Sequence, residues 1–76
     1  MAENVILGLR LVDEGVEAAA FRRRFGSDLD EVYGAEIRRL MGEGLLTRDA
    51  GRVRLSQRGI LLANEVSLRF LPDAGE

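Results

Sequence analysis

The stretch Gly44-Leu45-Leu46-Thr47-Arg48-Asp49-Ala50-Gly51-Arg52-Val53-Arg54-Leu55-Ser56-Gln57-Arg58-Gly59-Ile60-Leu61-Leu62-Ala63-Asn64 decides the fold. A short reversal joins two strand-like runs, and the second run leads straight into an amphipathic helix. Pairing Leu46 with Leu55 and Arg48 with Val53 leaves Asp49 to Arg52 as the tip, where Gly51 supplies the positive φ that a tight hairpin needs. Leu46, Val53 and Leu55 then point inward, and Arg52 and Arg54 point to solvent. Ser56 is placed to cap the next helix, because its hydroxyl can accept from a backbone N–H a few residues on. That helix carries Ile60, Leu61, Leu62, Ala63, Val66, Phe70 and Leu71 before Pro72 ends it, and residues 72–76 read as a frayed tail.

Upstream, Leu29, Val32, Tyr33, Ile37, Leu40 and Met41 recur at spacings of three and four, which predicts a helix. Either Ser27 or Asp28 can cap it, and Asp28 with Glu31 matches the box in which the third residue reaches back to the cap. Gly42 and Gly44 end it. Val16 to Phe25 reads as a shorter helix stopped by Gly26, with Phe21 and Phe25 on one face. From Glu3 to Val12 the chain is apolar on almost every side, as suits a helix covered on two faces, and Asp13-Glu14-Gly15 breaks it. The expected architecture is mostly α with a small β-hairpin. It is winged-helix-like, with three helices, a two-stranded wing and a C-terminal helix forming a single domain over residues 3–71.

Composition narrows the chemistry. The chain has 76 residues, no Cys and no His, which removes disulfides, thiol nucleophiles, imidazole bases and nearly every zinc or iron site. Catalysis by this fragment alone is not expected. No apolar run approaches the ~20 residues of a membrane span, and no signal-peptide pattern opens the chain, so a cytoplasmic protein is expected. The eleven basic residues are all Arg, and thirteen acidic ones leave a net charge of −2, too little to draw the whole molecule to phosphate or anionic lipid.

Charge placement bears on the DNA-reading role that the layout suggests. The start of the third helix would enter the major groove, yet it presents Asp28, Asp30, Glu31 and Glu36, which repel phosphates. The wing offers Arg48, Arg52, Arg54 and Arg58, and the alternative function is therefore a small winged-helix DNA-binding regulator, with nucleic acid the disfavoured partner. Arg22, Arg23 and Arg24 could suggest a carboxylate site, but consecutive helical residues point about 100° apart, which favours a solvated face with Glu17 as local partner. Asn64 interrupts an apolar run and reads as a buried Asn that satisfies a backbone group. The first helix is the expected domain-docking surface, through Val5, Ile6, Gly8, Leu9 and Arg10, with Gly8 marking close packing on a neighbouring surface.

Leu7-Gly8-Leu9-Arg10, Gly15-Val16, Phe21 with Arg24-Phe25-Gly26, Gly44-Leu45-Leu46, Val53-Arg54-Leu55, Arg58-Gly59 and Leu62-Ala63-Asn64-Glu65-Val66 with Phe70-Leu71 form an ordered set. In that order and spacing the chain resembles the C-terminal domain of oxygen-independent coproporphyrinogen III oxidase-like proteins, which are radical S-adenosylmethionine (radical SAM) enzymes. The Leu-Gly-Leu-Arg opening and the Asn-Glu-Val near the end place it closer to the heme chaperone branch. The resemblance covers residues 3 to 71. It implies a parent protein whose upstream barrel holds a 4Fe-4S cluster on a Cys-x3-Cys-x2-Cys motif, binds S-adenosylmethionine and, in the chaperone branch, heme. None of those ligands lies in this chain, so no catalytic, cofactor or metal residue transfers to it. What the resemblance implies here is a non-catalytic cap that packs on the upstream radical SAM barrel domain of the same chain.

Overall fold

The computed structural model describes residues 2–71. Along the chain run α1 (Ala2–Arg10), β1 (Val16–Glu17), α2 (Ala18–Phe25), α3 (Leu29–Gly42), β2 (Leu46–Asp49), β3 (Arg52–Leu55), α4 (Gln57–Leu61) and α5 (Ala63–Phe70). The protein is thus mostly helical around a small antiparallel sheet of order β1-β3-β2. The hairpin register is the expected one, with Leu46 opposite Leu55 and Arg48 opposite Val53. Asp49 pairs with Arg52, which shortens the tip to Ala50-Gly51. Both tip residues have positive φ, 52° and 76°, as a two-residue turn matched to the strand twist requires.

Ala50 is the one non-glycine residue with positive φ among those described, and its Cβ crowds the backbone there at a cost of roughly 1 kcal/mol. Ala50→Asn should therefore stabilise the protein by about 0.5–1 kcal/mol, read as a higher urea midpoint with an unchanged slope.

A third strand replaces the expected start of the second helix. Val16 pairs with Val53 and Glu17 with Arg52, and the Ala18 N–H donates to the Gly51 carbonyl at 2.9 Å, so α2 begins only at Ala18. Gly15 sets this up. Its φ is +64°, and a Cβ there would overlap the Val53 carbonyl oxygen and come within 2.7 Å of the Arg54 Cγ. Only glycine lets the turn after α1 lie against β3 and deliver Val16 to its partner. α1 itself stops at Arg10, two residues before the expected end, and the Leu11 carbonyl accepts from Glu14 and Gly15 at 2.9 and 2.7 Å.

The expected last helix is also divided. Leu62, at φ −111° and ψ 30°, separates α4 from α5. Ser56 caps α4 as expected, accepting from the Gly59 N–H at 2.9 Å while donating to the Gly44 carbonyl at 2.6 Å. Gly59 lies against the Leu45 carbonyl, which fixes α4 on the sheet. The bend at Leu62 then lets α5 turn Val66 and Phe70 inward. Ile60, Leu61 and Leu62, expected among the apolar residues of one amphipathic helix, stand 42%, 85% and 37% exposed. Asn64 is exposed as well, so it is no buried polar residue. Pro72 and the expected tail 72–76 lie outside the described residues.

The core collects Val5 and Leu9 of α1, Val16, Phe21, Leu29, Ile37, Leu40, Leu45, Leu46, Val53, Leu55, Val66 and Phe70. Tyr33 joins its two ends, with its ring 6.3 Å from Phe21 and 5.5 Å from Phe70, both edge-on. Such edge-to-face contacts add about 0.5–1.5 kcal/mol each beyond area burial.

Candidate functional site

Two arginines of the hairpin, Arg48 and Arg52, are committed within the protein. Arg48 of β2 grips Asp30 near the start of α3 with two hydrogen bonds, 2.6 and 3.0 Å. Arg52 of β3 donates to the Glu14 carbonyl at 2.9 Å and pairs with Glu17 at 3.5 Å. Neither Arg52 nor Arg54 projects freely, contrary to expectation, because the α1–β1 turn crosses that side of β3. The Arg54 Nε is buried without a hydrogen-bond partner among the described residues. At the start of α3, Asp28 accepts from Arg22 at 2.7 Å, and Glu31 reaches back to the Asp28 N–H at 3.4 Å. This helix start is acidic and partly neutralised from within, the reverse of a phosphate-seeking surface.

The Asp30–Arg48 pair carries a pH signature. The hydrogen bond from Arg48 holds the Asp30 carboxyl below its ordinary 3.8. A carboxylate with a depressed folded-state pKa adds stability that is present above the unfolded value and lost as pH falls through the folded one. Asp30 is 54% exposed, so screening limits the gain to about 0.5–1 kcal/mol. Arg48→Gln should lower stability by that much at pH 7, and denaturation midpoints should show the gap closing as the pH drops below 3.8.

A groove of about 640 Å³ runs between α1, β1 and α2. One wall is the outer side of α1 and the turn after it, with Leu7 63% and Leu11 55% exposed. Val16 and Phe21 lie deeper, and Arg23, Arg24 and Arg52 form the basic edge beside Glu14 and Glu17. Glu17 is shared by Arg23, at 3.8 Å, and Arg52, at 3.5 Å. Arg22 turns away to Asp28, so the Arg22-Arg23-Arg24 run splits between two directions as helical geometry demands. Glu17 does serve as the local partner expected for it.

The structure redistributes the residues expected to dock. Val5 and Leu9 are 2% and 3% exposed and belong to the core, so neither is available at the surface. Ile6 packs partly against the core, and Arg10 is exposed. Gly8 does mark a close approach, but inside the protein, since a Cβ there would stand 2.8 Å from Val16 Cγ2. The exposed apolar pair on this side is Leu7 with Leu11, which sequence reasoning passed over. Two apolar pairs, 5/9 and 7/11, lie on opposite sides of the same segment, and only the packing of β1 and α5 shows which pair faces in.

Among the described residues no three His, Cys, Asp or Glu side chains are grouped to hold a metal ion. No helix among them is long and apolar enough to cross a membrane.

Comparison with known proteins extends these observations. A family described as the HemN C-terminal domain matches residues 1–62. The chain is 34% identical over 71 residues, 93% of its length, to the heme chaperone HemW of Lactococcus lactis subsp. lactis strain IL1403. It is 35% identical over 69 residues, 91% of its length, to the heme chaperone HemW of Bacillus subtilis strain 168. In both cases it spans 18% of the relative's length. No solved structure matches the chain significantly. On a family match over most of its residues and two relatives that agree with it, the chain belongs to the HemN C-terminal domain family.

Proposed function

We propose that residues 3–71 form a winged-helix-like, non-catalytic accessory domain of a longer cytoplasmic polypeptide of the radical SAM, coproporphyrinogen oxidase-like kind, in the heme chaperone branch. It packs on the upstream barrel domain through the outer side of α1. The observation that carries this reading is the exposed pair Leu7 and Leu11 along an open groove, in a chain whose relatives are several times longer. Exposed large apolar side chains beside a concave surface mark interaction sites more often than chance solvent contact.

The chain's own donors do not fit the parent's cofactors. It contains neither thiolate nor imidazole, the groups that hold a 4Fe-4S cluster or heme iron in most proteins. In this reading the ligands for the cluster, S-adenosylmethionine and heme come from the rest of the polypeptide, and this domain shapes or covers that site. The DNA-binding alternative is not favoured, because Arg48 and Arg52 are already paired and the α3 start is acidic.

Limited trypsin digestion of the full-length polypeptide tests the reading. Leu7→Glu should speed cleavage after Arg10 and after the Arg22-Arg23-Arg24 run about tenfold or more, while the visible absorbance of the cluster stays unchanged. Cleavage at the wild-type rate would overturn the α1 docking surface.

A further inference from the structure

The groove holds more information than its apolar wall. Three arginines line it against two glutamates. The Glu17 carboxylate is shared by Arg23 and Arg52, and the Glu14 carbonyl accepts from Arg52. Arg24 differs from both neighbours. Its guanidinium stands 5.6 Å over the Phe25 ring, and among the described residues no carboxylate lies within 4.0 Å of it. A ring face attracts the cation without neutralising it. On a chain of net charge −2, this leaves an exposed arginine with no counter-charge among the described residues, on a groove that Leu7 and Leu11 also line.

We propose that this groove receives an acidic amphipathic segment of the same polypeptide's preceding domain, with apolar side chains seated on Leu7 and Leu11 and a carboxylate on Arg24. The inference rests on the docking reading above and adds the chemistry of what docks. A purely apolar segment would leave Arg24 desolvated without a partner, and a basic one would bring like charge against Arg24, the arginine of the groove that no carboxylate offsets among the described residues. A carboxylate gains a forked hydrogen-bonding partner instead, since a guanidinium presents two parallel N–H groups to two oxygens. Placed at the groove edge, this contact orients the segment, while the leucines supply the buried area.

The test compares amide hydrogen exchange at residues 4–11 and 20–24 in the 76-residue chain and in the full-length polypeptide that carries it. Protection should be higher in the full-length polypeptide. Arg24→Glu should cut that extra protection about tenfold or more, Arg24→Lys should retain part of it, and raising salt from about 0.1 to 0.5 M should weaken the wild type but not Arg24→Glu. Leu7→Glu should abolish it. Both positions are exposed, and unchanged far-ultraviolet circular dichroism verifies that the variants fold. If Leu7→Glu removes the protection and Arg24→Glu does not, docking stands and the acidic partner is overturned. If the full-length polypeptide shows no extra protection, or Leu7→Glu leaves it intact, the docking reading itself falls.

Discussion

Gly59→Ala should destabilise the protein by about 2–4 kcal/mol, a fall of roughly 10–25 °C in melting temperature. The added methyl would overlap the Leu45 carbonyl oxygen and stand 3.2 Å from Leu55 Cδ2. Neither neighbour can yield cheaply. The Leu45 carbonyl accepts from the Ser56 N–H at 3.0 Å, the Leu45 N–H donates to Leu40 at 2.9 Å, and the Ser56 hydroxyl ties Gly44 to Gly59. Making room means lifting α4 off the sheet and breaking its cap. Gly42→Ala is the control, because a Cβ there meets nothing within 4 Å. It should be neutral or stabilise by up to about 1 kcal/mol through helix propensity. Thermal melts of the two variants, followed by circular dichroism, give the comparison.

Gly15→Ala should cost about 3 kcal/mol, for two reasons that add. An alanine at φ +64° carries the usual left-handed penalty of roughly 1–2 kcal/mol. Its Cβ would also overlap the Val53 carbonyl oxygen of β3, and crowding of a packed backbone costs about 1–3 kcal/mol. The damage should concentrate on β1, since Gly15 delivers Val16 to Val53. Hydrogen exchange at Ala18, whose N–H bonds Gly51, should speed up more than exchange at the β2–β3 pairs. Uniform acceleration across the sheet would show instead that β1 has no separate dependence on the turn.

Much of the fold is legible in the sequence where local chemistry and tertiary packing agree. The hairpin pairs as the order of Leu46, Arg48, Val53 and Leu55 requires, and the polar signals at Ser56, Asp28-Glu31 and Gly26 mark the helix ends where they occur. β1 is not legible, because two residues are too few to show alternation and Ala18 to Ala20 extend a helical pattern back over them. Its one clue is Gly15 followed by β-branched Val16, a reversal followed by a strand former. The break at Leu62 is hidden for a different reason. Ile60-Leu61-Leu62-Ala63 reads as one continuous apolar helical run, with neither Gly nor Pro at Leu62 where α4 and α5 part.

The candidate site is legible by region and not by residue. An apolar, glycine-bearing first helix does indicate the segment that joins the core on one side and lines the groove on the other. The sequence could not tell that Val5 and Leu9 turn inward, that Gly8 meets Val16 within the protein, or that Leu7, Leu11 and Arg24 share a groove. Those assignments depend on β1, the element with the weakest local signal. The arginines follow the same logic. Side by side in sequence, Arg22, Arg23 and Arg24 look equivalent, yet Arg22 is held by Asp28 and Arg23 by Glu17, while Arg24, which lines the groove, has no carboxylate partner among the described residues.

The proposed docking requires the outer side of α1 to be covered by a preceding domain of a longer polypeptide. Replacing Leu7 with the photo-crosslinking residue benzoylphenylalanine in the full-length polypeptide, irradiating and mapping the adducts by mass spectrometry measures this directly. The predicted result is an intramolecular crosslink from position 7 to the preceding domain, lost when Leu11→Glu is introduced alongside. Crosslinks only to other molecules, or none at all, would contradict it.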